Sequence, residues 1–99
     1  MILVRNVFHL KFGKAKDGIA LFKEGLAINK RLGYGGNARI LTDAVSRFYT
    51  LVYETTHDSL SELEEGSKKM SESDEWKSWY QKVIALVNNG YREVFNIVE

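Results

Sequence analysis

Ninety-nine residues, 44% hydrophobic and 27% charged, make one domain over 1–99 with a single core, ordinary for a soluble globular protein. Fourteen basic against thirteen acidic residues give no electrostatic footing for nucleic acid or a membrane surface, and no apolar run approaches the ~20 residues that span a bilayer. Without cysteine there is no disulfide and no thiolate metal site, and MILVRNVF, with its charge inside the apolar run, is no signal peptide, so a cytoplasmic protein is expected.

In chain order, Ile2–Phe12 alternates as a long strand that Gly13 ends. The period then changes: Ala15, Ile19, Phe22 and Leu26 form a helical stripe. Gly18 and Gly25 cost that helix about 1 kcal/mol each relative to Ala, and Gly25 suggests that another backbone comes close. Gly33 is the stop after Lys30 and Arg31, and Tyr34-Gly35-Gly36-Asn37 reads as a flexible loop. Ala38–Thr42 is a short second strand, joined through Asp43–Ser46 to Arg47–Thr55. The latter is the densest β-forming run, with large apolar bodies on both faces, and so reads as a central strand covered on both sides.

Ser59 with Glu62 fits a capping box before a helix carrying Leu60, Leu63, Ser67 and Met70. Ser73 caps another, with Trp76, Tyr80, Val83 and Val87 in its stripe and Trp79 and Leu86 alongside. Asn88-Asn89-Gly90 should stop it, and Tyr91–Val98 should be the last strand. The order β-α-β-β-α-β, its second helical region split in two, predicts a ferredoxin-like α+β fold. Such a fold is a four-stranded antiparallel sheet with helices on one face.

Alternation assigns Val4, Phe8, Leu10, Phe12, Phe48, Val52, Phe95 and Ile97 to the helix side. The other side would then carry Leu3, Arg5, Val7, His9, Arg39, Leu41, Tyr49, Leu51, Tyr53, Arg92, Val94, Asn96 and Val98. That is more apolar surface than a monomer leaves wet. A second copy related by a two-fold axis would cover it, each buried Leu or Val contributing ~1.5–3 kcal/mol.

The hairpin RILTDAVSRFYTLVYET, the following HDSLSELEE, the DEWKSWYQKV helix and the closing GYREVFNIV resemble the dimeric α/β-barrel superfamily. The likeness is to its small NIPSNAP-like and antibiotic-biosynthesis-monooxygenase-like members. The resemblance implies a sheet-to-sheet homodimer without a cofactor. It implies a pocket for a small aromatic or anionic molecule, placed between sheet and helices or enclosed between the two sheets. It also brings cofactor-independent oxygenases and isomerases acting on phenolic or quinol-type substrates into view, so the fold alone selects no activity.

On that footing His9, Tyr49 and Tyr53 are the candidate catalytic groups, histidine because it titrates near neutrality. Arg5, Arg39 and Arg92 are candidate clamps for a carboxylate or phenolate, and equally partners for Asp43, Glu54 or Glu99. Trp76 and Trp79 line or lid the pocket by the resemblance, and by spacing alone are core anchors. His9 and His57 are far apart with no ligand-spaced carboxylate, so no metal is expected. Asn6 and Trp76 echo a haem-degrading pair, but the last helix lacks a histidine. The RNA-recognition motif shares this element order; here Leu3 and Leu51 stand where stacking aromatics belong, which argues against RNA.

Overall fold

The structure, a computed structural model, describes residues 1–34 and 37–99. Of the expected loop Tyr34–Asn37, Gly35 and Gly36 lie outside the described residues. The elements are β1 (Ile2–Leu10), α1 (Ala15–Arg31), β2 (Arg39–Thr42), β3 (Thr50–His57), α2 (Leu60–Ser71), α3 (Asp74–Leu86) and β4 (Val87–Asn96). The four strands form one antiparallel sheet in the order β2-β3-β1-β4, the α+β ferredoxin-like arrangement. No helix among the described residues is long and apolar enough to cross a membrane.

The caps fall where the sequence puts them. Ser59 Oγ accepts from the Glu62 amide at 3.2 Å and Ser73 Oγ from the Trp76 amide at 3.3 Å. Gly33, at φ +84°, turns the chain out of α1 in the left-handed conformation that glycine favours. The packed interior joins Leu10, Leu21, Phe22, Ile28, Leu51, Trp79 and Val83, drawn from both long helices and the two central strands.

Three expectations are corrected. β3 begins at Thr50, not Arg47, because Tyr49 takes φ 59° and breaks the extended run. β4 begins at Val87 directly after α3, so Asn88-Asn89-Gly90 pairs with β1 instead of ending the helix as a loop. Gly25 admits no backbone but the Trp79 indole: a Cβ there would lie 2.3 Å from Trp79 Cζ2.

The faces of β3 and β4 are also exchanged relative to the alternation reading. Register sets Phe8 beside Leu51 and Asn6 between Tyr53 and Arg92, which puts Leu51, Tyr53, Arg92 and Val94 on the helix side. Val52, Glu54, Tyr91, Glu93 and Phe95 share the open side with Leu3, Arg5, Val7, His9, Arg39 and Leu41.

Candidate functional site

Between the helix side of the sheet and the three helices lies a cleft with two connected chambers, of about 290 and 210 Å³. Asn6, Asn29, Tyr53, Met70 and Arg92 line both and mark the waist between them. The larger chamber is walled by rings. Phe8 and Phe22 have centroids 4.9 Å apart, Phe22 meets Trp79 edge-on at 5.5 Å, and Trp76 stacks on Tyr80 at 4.9 Å with planes 10° apart. Trp79 is fixed twice, by the missing side chain of Gly25 and by its Nε1–H donating to the Leu21 carbonyl at 2.7 Å. The smaller chamber is more polar, with Asn37, Thr55, His57, Glu62 and Ser67 in its wall.

The waist is built by register and by one helix turn. Tyr53, Asn6 and Arg92 are cross-strand neighbours on β3, β1 and β4, so their side chains rise from the sheet in a row. Asn29 comes from α1, three residues after Leu26 and in phase with its apolar stripe. Its Nδ2 donates to Tyr53 Oη at 2.8 Å, and Arg92 Nε donates to Asn6 Oδ1 at 2.8 Å. Asn29 Oδ1 is buried and has no partner among the described residues. Burial raises the Tyr53 phenol above its usual value near 10.0, and the bond from Asn29 opposes that rise. Tyr53 is therefore a protonated hydroxyl at neutral pH.

The eight residues singled out from sequence do not converge. Tyr53, Trp76, Trp79 and Arg92 meet in the cleft. Arg5, His9 and Arg39 lie on the opposite face of the sheet. There Arg39 and Arg5 both pair with Glu54, at 2.5 and 3.5 Å, and Arg5 reaches Glu93 at 3.0 Å. These pairs form one alternating charge row, Arg39–Glu54–Arg5–Glu93, across all four strands. His9 is buried against Thr50, its Nδ1 3.5 Å from Thr50 Oγ1, under the β2–β3 connection. Tyr49 packs edge-on against Phe12 at 4.7 Å, away from both.

Asn6, Phe8, Phe22, Asn29, Met70 and Tyr80 were not singled out as lining a ligand site. The missed signal is a polar residue in phase with an apolar set: Asn6 within Ile2, Val4, Phe8 and Leu10, and Asn29 at the end of the α1 stripe. Among the described residues, no group of three or more His, Asp or Glu side chains is placed to hold a metal ion.

No family model and no curated protein matches the sequence. Solved structures do match in shape. A NIPSNAP family protein of Agrobacterium tumefaciens superposes with a TM-score of 0.89 at 17% identity, over 99% of this chain and 86% of that one. The chain has the NIPSNAP fold. A NIPSNAP domain protein of Burkholderia xenovorans matches at 0.85 and 13% identity, over 99% of this chain and 95% of that one. The NIPSNAP fold also extends to a candidate antibiotic biosynthesis monooxygenase of Nitrosomonas europaea, at 0.75 and 11% identity over the whole of both chains. At such identities the shared property is the fold, and the cleft's own residues must carry any statement of function.

Proposed function

We propose that this protein binds a small aromatic molecule in the cleft between sheet and helices, its ring in the larger chamber and its polar end at the waist. One observation carries this reading. Ring-bearing side chains wall a cavity of about 290 Å³, and the row Tyr53–Asn6–Arg92, with Asn29 opposite, lines its waist with polar groups. Among the described residues Arg92 has no carboxylate partner and spends only its Nε on Asn6, which leaves the rest of the guanidinium to favour an electron-rich or anionic oxygen on the ligand. Binding is better supported than proton abstraction, because the Tyr53 phenol stays protonated. The monooxygenase named among the fold neighbours makes oxygen uptake with phenols and quinols the assay for turnover.

The protein also pairs through its open sheet face with a second copy of itself in this reading. Leu3, Leu41, Tyr91 and Phe95 supply apolar surface on either side of the charge row, and a two-fold axis would lay equivalent patches together.

The two tryptophans of the chain both line the cleft, so intrinsic emission reports on this site. Titration with 1-naphthol and 1-naphthoate, corrected for absorbance, should change that emission saturably. Arg92→Gln should weaken naphthoate about tenfold, the size of a charge-assisted hydrogen bond. Emission that stays unchanged to millimolar ligand contradicts the proposal.

A further inference from the structure

Two connections at one end of the sheet turn rings to solvent that the core does not use. Phe12, between β1 and α1, is 80% exposed, and Phe48, between β2 and β3, is 76% exposed. The next most exposed aromatic side chain among the described residues is Tyr91, at 55%. The two connections are fastened to each other: the Leu10 amide donates to the Tyr49 carbonyl at 2.8 Å, and the Tyr49 ring meets Phe12 edge-on at 4.7 Å. Tyr49 makes both contacts at φ 59°, a left-handed conformation that residues with bulky side chains seldom adopt. Backbone strain is thus held where the rings are presented.

Positive charge gathers at the same end. Lys11 immediately precedes Phe12, Arg47 immediately precedes Phe48, and Lys14 and Lys16 follow at the start of α1. Segments 11–17 and 43–49 hold these four cations against two carboxylates, Asp17 and Asp43, so the rest of the chain carries a formal −1 while the whole carries +1. Of the four cations only Lys14, 3.8 Å from Asp17, has an ion-pair partner among the described residues. The even balance of the whole chain, which gives no footing for a membrane surface, conceals a cationic end.

We infer that this end docks on an anionic lipid surface, with Phe12 and Phe48 entering the headgroup–acyl boundary and Lys11, Lys14, Lys16 and Arg47 meeting lipid phosphates. Charge decides against a second copy as the occupant, because a two-fold axis would set one positive end against another. The groove of about 330 Å³ between the rings is also lined by Ala15 and Ile19 of α1. It therefore lies off the open sheet face through which copies pair in the reading above. The docking is independent of ligand binding in the cleft.

Cosedimentation with vesicles tests it. The protein should pellet with mixed phosphatidylcholine and phosphatidylglycerol vesicles but not with phosphatidylcholine alone, and added salt should release it. Phe12→Ser and Phe48→Ser should each weaken binding about tenfold, as expected for a ring withdrawn from water. Lys11→Gln and Arg47→Gln should each weaken it about fivefold. The Phe48 ring is exposed, so Phe48→Ser should keep the parent's urea midpoint, which separates lost binding from lost folding. Protein that stays in solution with the anionic vesicles, or pellets equally with both kinds, overturns the inference. So does binding that survives Phe12→Ser and Phe48→Ser together, since charge alone would then carry it. If the parent ignores vesicles and Phe48→Ser halves its mass at sedimentation equilibrium, the rings belong to a contact between copies, and the inference falls.

Discussion

His9 sits on the face of the sheet opposite the cleft, buried beneath the connection that follows β2. Desolvation first, and then the Arg47 cation, lower its pKa from the ordinary 6.5. The unfolded chain therefore takes up this proton at a higher pH than the folded one. The contribution is fully present above 6.5 and is lost as pH falls through the folded value. Urea unfolding at about pH 5 and about pH 7.5 should show less stability at the lower pH, and His9→Gln should shrink the difference. A variant as pH-dependent as the parent would remove His9 from this role. The sequence marks His9 as chemistry-bearing, yet its surroundings are an ion-pair row and a loop. Asn29, without charge or titration, attracts no notice until its phase with Ala15, Ile19, Phe22 and Leu26 is seen. Polarity in register with an apolar stripe is the residue-level sign of this site.

At the scale of elements, α1 and α3 can approach only because Gly25 has no side chain. The Trp79 ring occupies that space, with Cζ2 2.3 Å from where a Cβ would be. Gly25→Ala should destabilise the protein by about 1–3 kcal/mol, the usual cost of overpacking, and should shift the Trp79 emission. An unchanged urea midpoint together with an unchanged spectrum would show that this contact has slack. Helices were readable because Ser59, Ser73 and Gly33 mark their ends by local chemistry. The facing of β3 and β4 was not. Both sides of the expected run Arg47–Thr55 carry large apolar groups, so alternation alone has two solutions, and Tyr49 at φ 59° shifts the start of the strand to Thr50. Only pairing with β1 chooses between them. The same pairing threads Gly90 past the Val7 carbonyl, where a Cβ would lie 2.6 Å from that oxygen, and so carries Arg92 beside Asn6.

Across the whole molecule, one sheet separates two chemistries. Its helix side carries the row Tyr53–Asn6–Arg92 beneath an aromatic chamber, and its open side carries the row Arg39–Glu54–Arg5–Glu93. The element order and the sheet follow from the sequence; the cleft does not, because it is assembled from strand register and from helices distant in the chain. If the open side pairs with a second copy, sedimentation equilibrium at micromolar concentration should give twice the chain mass. Leu41→Glu with Phe95→Glu, both on that face, should halve it, and a parent protein at single mass would contradict the pairing. The central claim is that the helix side, not the open side, takes the ligand. Intermolecular nuclear Overhauser effects from bound phenol test it most directly. They should reach the rings of Phe22, Trp76 and Trp79; effects to Val7, His9 or Val52 in their place would contradict it.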